Sequence, residues 1–574
     1  FVTGTHSKEL LGNSVAMTTN DNVDWKGHIN LTSLTVEGSG LSIDNRNSSI
    51  DSLTVNSGGF ASAGGNTFGE VTAKANAIFN AGDKLTSSLA VFGTATQVDL
   101  NNVTASLKSV TNEGTLNLKD YSAVNVSGTM NSTGTLNVID SSLNVAGGNL
   151  TLVQANLING DITVAQELVL TGTVQVSDLP GNANVASSVS VGSLQVEGGH
   201  LILDKGINAL NATDTFTLSQ GTVTVRGSMG IGTSTTVSGG TLSLIIAGNT
   251  VSSLGKAVVN GGTVNLTGSD LDHRAVSAGS LTMNNSAEVN LDNVFLSLDS
   301  GNGVLSLNGG TLNFRNGSVL HGNMAVNGSN SLSFEDTAQI TGNVDVVGTK
   351  GAPTELVVTG GIGSSLKIGG DVKISSDSDM IVDDLLLDIQ GRTTVSGHLT
   401  VQVNDLARGT VGVASDSFIN IGTVEIRDNG HVDLLGSHLG SLTLEDGSTF
   451  TGSGFKGSIT MVNQGVGVSN SLNMDHVYLL GDVTMAKGGD DNSFLMTDSH
   501  IEGDLIMEAG DLTLTGTNFA KNAYISSKAD LIGDTDSFEV KNTIVKEDGH
   551  LTIGGDSGTS TLNGILWLAD GGQA

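Results

Sequence analysis

The chain of 574 residues has no cysteine, two prolines, two tryptophans and three tyrosines. Each scarcity excludes something. Without cysteine there are no disulfides, no thiolate metal sites and no cysteine nucleophile. With aromatics at 3%, the chain lacks the rings that ordinarily fill globular cores, although its length would accommodate several domains. Basic residues are also scarce. Lys and Arg total 24 against 57 Asp and Glu, a formal charge of −33, so no dense basic patch can engage a phosphate backbone and nucleic acid is excluded as a partner. No run of about 18 apolar residues occurs, which excludes a membrane-spanning helix. The nearest run, 380–387, is broken by Asp383 and Asp384. The chain opens on Phe1 rather than Met, so either a leader has been removed or the chain is an excerpt.

Glycine is what the chain has in quantity, 79 residues of it, with 37% hydrophobic and only 14% charged residues. Glycine does not recur at every third position, so this is not collagen, and the low charge does not fit a disordered polyelectrolyte. One phrase recurs instead: Gly, a small or polar residue, an aliphatic, a polar residue, an aliphatic. It reads GTLNL at Gly114, GTLNV at Gly134, GTLSL at Gly240, GTVNL at Gly262, GTLNF at Gly310 and GDLTL at Gly510. Alternation with period two is a strand buried on one face. Leu, Val and Thr suit that pleated surface, and the leading Gly suits a turn of positive φ.

Spacing sets the architecture. Gly114 to Gly134 is 20 residues and Gly240 to Gly262 is 22, while Gly303 to Gly310 is 7. Short gaps are successive faces of one coil, and long gaps the same face one coil later. The expected fold is all-β, a single-stranded parallel β-helix of about 25 coils, each of roughly 20–24 residues. Residues 1–26 lack the phrase and are expected to be an N-terminal cap or entering segment, with 27–574 one continuous β-helix. Antiparallel sandwiches, the rival, need hairpin signals and a buried aromatic anchor per domain; here Trp25 and Trp567 lie at opposite ends. Pro180 and Pro353 fall in LPGN and GAPT, which read as loops outside the coil.

Candidate chemistry is sparse. Asp383, Asp384 and Asp388 form the densest acidic cluster and would serve a polysaccharide lyase or hydrolase. The plainer reading is solvated turn residues beside Leu385, Leu387 and Ile389. Asp490 and Asp491, with Asn492, offer oxygen ligands to calcium, although a polar loop is the plainer reading. His431 and His438 read as separate turns rather than a joint metal site. GDSGTS at Gly555–Ser560 has no protease pattern around it. N-x-S/T triplets, as at Asn30, Asn125 and Asn265, are frequent, but chance accounts for most of them in a chain so rich in Asn, Ser and Thr. No catalytic residue and no cofactor is assigned.

The segments VSGGTLSL (237–244), VNGGTVNL (259–266) and LNGGTLNF (307–314) carry a resemblance. With the scarce aromatics and acidic composition, the chain resembles the passenger domains of Gram-negative autotransporters, most closely the adhesin type. That resemblance implies a right-handed parallel β-helix and export to the cell surface. It also implies adhesion, self-association or biofilm formation, with host or surface glycans, matrix proteins or other copies as partners. The family's outer-membrane translocator barrel has no counterpart in these 574 residues. Fibre and surface-layer proteins share the same repeat grammar, so a structural component is the alternative, followed by a polysaccharide-degrading enzyme. Ladders of Asn, Thr, Ser and Asp on a repeating face would bind weakly at each step and add up by repetition.

Overall fold

The computed structural model describes residues 2–6, 8–158, 160–177, 188–246, 251–268, 274–301, 303–360, 364–383 and 385–402, then 419–426, 431–435, 437–445, 449–453, 458–462, 471–475, 478–479, 481–486, 493–508, 510–525, 529–545, 550–553 and 562–568. Among these there is no α-helix, only the 3-10 turn Asp299–Gly301. Successive strands pair in parallel, and the single antiparallel contact among described residues is the bridge between Thr349 and Ala352. The chain is thus a parallel β-solenoid, as the repeated phrase predicts. Contacts divide it into two compact units, 1–279 and 280–574.

In the first unit each coil contributes to three ladders. One runs from Gln97–Asn101 to Thr115–Lys119 and on to the second halves of Met130–Ile139 and Leu150–Ile158. A second stacks Thr104–Leu107, Ala123–Val126 and Ser142–Val145. A third stacks Ser109–Asn112 on the first halves of Met130–Ile139 and Leu150–Ile158. Along each strand alternate residues turn inward. Leu116, Leu118, Leu136, Val138, Ala155 and Leu157 are all buried. Each large aliphatic among them contributes about 1.5–3 kcal/mol of burial. Where rings enter, they cluster: Phe60, Phe68 and Phe79 meet with centroids 5.0–5.7 Å apart. Residues 1–26 carry strands Val2–His6 and Leu10–Trp25, which pair in parallel with each other, and the latter pairs with Ile29–Gly38.

In the second unit, Val304–Arg315, Ser329–Glu335, Thr354–Gly360 and Ser378–Asp383 stack in the same way, with Phe314 lying over Phe334 at 5.1 Å. Residues 347–353 leave the coil as an exposed projection that includes Pro353, as expected for a loop outside the ladders. Pro180 lies outside the described residues.

Coil length is less regular than the phrase suggests. Thr67 pairs with Lys84, a step of 17, and Arg392 with Thr423, a step of 31, which corrects the expected 20–24. Register binds only the ladder residues, so extra chain is taken up between them.

Corners have their own chemistry. In the first unit the chain bends through Asn47, Gly65, Gly82, Asn102, Tyr121 and Asp140, all with φ between +46° and +85°. The residue after each begins the turn inward, and its N–H can lose its ladder acceptor there. A side chain one coil later supplies the acceptor. Ser48 N donates to Asn66 Oδ1 (2.8 Å), Asn66 N to Asp83 Oδ1 (2.8 Å), Val103 N to Ser122 Oγ (3.0 Å) and Ser122 N to Ser141 Oγ (3.1 Å). The second unit repeats the device, with Val294 N on Ser318 Oγ (3.2 Å) and Ser499 N on Asn518 Oδ1 (3.0 Å). Buried backbone donors are paired in this way without water.

The glycine that opens the phrase has two distinct tasks. Gly221, Gly240 and Gly262 have φ near +80°, as the sequence suggests. Gly114 and Gly134 do not; there the requirement is space, because a Cβ on Gly134 would lie 2.0 Å from the Gly114 carbonyl oxygen. Gly134→Ala is therefore expected to destabilise the local stack by about 1–3 kcal/mol. Exposed Thr94→Ala should stay within about 0.5 kcal/mol. Hydrogen exchange of peptides spanning 109–139 measures the difference, and equal protection in both variants would contradict the packing argument.

Candidate binding face

The strongest polar constellation lies on the outward side of the 97–101 ladder. Register places Asp99, Asn117, Asn137 and Asn156 one above another. Asn117 Nδ2 donates to Asp99 Oδ1 (2.6 Å), Asn137 Nδ2 to Asn117 Oδ1 (2.6 Å) and Asn156 Nδ2 to Asn137 Oδ1 (2.8 Å). The in-register parallel sheet sets this up, since outward residues of successive coils recur at the strand spacing of about 4.8 Å. Every amide donates toward the lower-numbered coil, so their dipoles align, and the row ends on a carboxylate that only accepts. Each bond uses one amide hydrogen and one acceptor lone pair, which leaves unused groups on half-buried Asn137 and Asn156, while Asn117 is buried within the row.

The pattern recurs in the second unit. Asn522 donates to Asp504 (2.7 Å) and Asn542 to Asn522 (2.8 Å). Asn308 donates to Asn284 (2.9 Å) and Asn327 to Asn308 (3.1 Å). Again the donor lies on the later coil.

Two aspartates of the first unit sit in opposite electrostatic settings. Burial is the largest influence on Asp99 and would raise its carboxyl. Bonds from Asn117, Lys119 Nζ (3.0 Å) and Gln97, with the Lys119 charge, outweigh it and hold the group below its ordinary 3.8. Asp83 is fully buried at a corner, where Asn66 N, Ser62 Oγ and Asn80 N donate to it at 2.8–3.0 Å. Among the described residues no cation joins them, and burial pushes its carboxyl above 3.8.

The acidic cluster at 383–388 is divided by the fold. Asp383 ends strand Ser378–Asp383, in register between Thr359 and Gln402. Asp388 lies in Leu386–Val395, in register between Lys367 and Asn420, on a different ladder. Asp384 is outside the described residues. Leu385, Leu387 and Ile389 are buried, as their expected apolar face requires. His431 and His438 also lie on different ladders, His431 in register with His398 and His438 with Asn420. Asp490 and Asp491, the calcium candidates, and the GDSGTS segment fall outside the described residues. No helix among the described residues is long and apolar enough to cross a membrane.

Reading the sequence did not single out the asparagine row. Its signal was present in GTLNL and GTLNV, where the polar fourth letter is Asn117 and then Asn137, 20 residues on. Asn156 falls in QANLI, outside the phrase. Corner residues such as Asp83 carry no comparable signal. Compared with known proteins, the chain matches no family model, no curated protein and no solved structure.

The two aspartates predict opposite responses to acid. The pKa of Asp99 is depressed in the fold, so its stabilisation is present above pH 3.8 and is lost as pH falls through the folded value. That of Asp83 is raised, so its stabilisation is complete below pH 3.8 and is lost as pH rises through the folded value. Hydrogen exchange, corrected for intrinsic rates, should show that Asp99→Asn blunts acid loosening of 97–119. Asp83→Asn should blunt the loosening of 62–83 as pH rises. The same response to acid in both peptides would contradict the assignment.

Proposed function

We propose that the chain is a surface-exposed adhesin of the autotransporter-passenger type, acting extracellularly by attachment or self-association through its repeated polar ladders. The observation that carries this reading is the outward row Asp99–Asn117–Asn137–Asn156 and its counterparts in the second unit. Aligned amides at a fixed repeat offer a partner like donors and acceptors more than once, through half-buried Asn137 and Asn156 in the first unit, where Asn117 is buried, and Asn522 and Asn542 in the second. Single hydrogen bonds of about 1 kcal/mol become useful affinity when they are linked. Glycans, matrix proteins and a second copy of the chain all present the complementary groups.

Charge tunes the reading. At −33 the chain repels its own copies, so self-association should strengthen as salt screens the repulsion or divalent cations bridge carboxylates. Sedimentation at low and moderate ionic strength, with and without calcium, measures this. An assembly that weakens with salt would contradict it.

The ladder itself is tested with Asn137→Asp, which preserves shape, removes the donor to Asn117 and adds a charge. Attachment of coated beads to cells, glycans or matrix proteins, or self-association, is expected to fall by about tenfold while circular dichroism stays that of the parent. A purified parent chain that binds no cell, glycan, matrix protein or second copy would overturn the proposal.

A further inference from the structure

We infer that Tyr121 is the anchor of a carbohydrate subsite, its ring a platform for the apolar face of a neutral pyranose. The inference rests on the binding-face reading above and specifies its ligand at one corner. Among the described residues, twelve non-glycine residues have φ in the left-handed range; eleven are Asn or Asp, and the other is Tyr121 at +67°. Asn and Asp tolerate that region because their short polar side chains bond locally, whereas a bulky residue there is an outlier. The equivalent corners of neighbouring coils hold Gly65, Gly82, Asn102 and Asp140. Asp120, just before Tyr121, is left-handed as well, at +55°.

The fold gains nothing from the ring. Tyr121 is 82% exposed, more than any other large hydrophobic side chain among the described residues. Its backbone N–H donates to Asp140 O (2.8 Å), a bond any residue but proline would make. A left-handed backbone under a bulky side chain that stays this exposed points to a partner outside the chain. In a sequence with three tyrosines, the placement is conspicuous.

The neighbours define that partner's chemistry. Exposed Asp120 adjoins the ring in sequence. Exposed Asn102 occupies the same corner one coil earlier, and half-buried Asp140 one coil later. Carboxylate and amide oxygens accept from hydroxyls, and the Asn102 amide donates to them. Tyrosine adds a large rigid contact at low entropic cost, with a polar tip. A sugar offers both surfaces, C–H groups on one face and hydroxyls around its rim. The two carboxylates and the net charge select a neutral sugar over an acidic one.

The test uses Tyr121→Gly, Tyr121→Phe and the parent chain against immobilised neutral oligosaccharides built from glucose, galactose, mannose and N-acetylglucosamine. The parent should bind at least one of them. Tyr121→Gly should weaken that binding by about tenfold or more without lowering the melting temperature, because glycine relieves the backbone. Tyr121→Phe should retain most of the binding. A lower melting temperature in Tyr121→Gly, or unchanged sugar binding, would overturn the inference in favour of a structural role. A parent that attaches to cells or to itself but to no neutral sugar would overturn it while leaving the binding-face reading intact. Failure of every attachment assay would remove both.

Discussion

The backbone hydrogen bond between consecutive coils is the constraint on which the rest depends. Parallel, in-register pairing puts every ladder residue over a counterpart at about 4.8 Å. That spacing leaves no freedom along the stack, so variation is confined to what lies between ladders. The step of 31 from Arg392 to Thr423 and the projection at 347–353 are tolerated for that reason. It also explains the composition. A coil interior one or two side chains wide is filled by Leu, Val and Ile, and rings enter only where neighbouring coils make room together, as at Phe60, Phe68 and Phe79.

The same bond creates its own deficit. Ladders satisfy the backbone along straight segments, but each bend turns N–H groups away from the coil beside them. Buried polar residues repair this in two runs, Ser48–Asn66–Asp83 and Ser122–Ser141, with Val103 at the corner between them. Most members are neutral, and the reason is visible at Asp83. Its donors come from Asn66, Ser62 and Asn80, yet desolvation still dominates and raises its pKa. Asp99 shows what a cation changes. With Lys119 beside it and bonds from Asn117 Nδ2 and Gln97 Nε2, the carboxylate is favoured despite partial burial. One residue type thus takes opposite protonation preferences within a single unit.

Fold class was legible in the sequence because the relevant physics is local. GTLNL and GTLNV show which residues face inward, and their separation of 20 forbids a hairpin. What lies across the coil interface was not legible. Asn66 pairs with Ser48 and Asp83 through steps of 18 and 17, and other coils take different steps, so no fixed period finds these partners. Glycine misled in part: positive φ explains Gly240, but only the carbonyl of the preceding coil explains Gly134. The acidic run at 383–388 looks like one cluster because sequence proximity hides a change of ladder between Asp383 and Asp388.

Repetition bears on recognition as well as on stability. A row of identical amides binds broadly, because a partner can slide along it by one coil and find the same groups again. Such a face supplies avidity and little register. Register has to come from positions that break the repeat, and the constraint makes those easy to recognise. At a corner where sterics select Gly, Asn or Asp, a tyrosine is kept against the local preference. At Asp99 the row of amides meets its one carboxylate, with Lys119 beside it and Tyr121 two residues further along the chain. These two departures from the repeat, the carboxylate at Asp99 and the tyrosine at 121, thus lie within one coil of each other, at one end of the Asp99–Asn156 row.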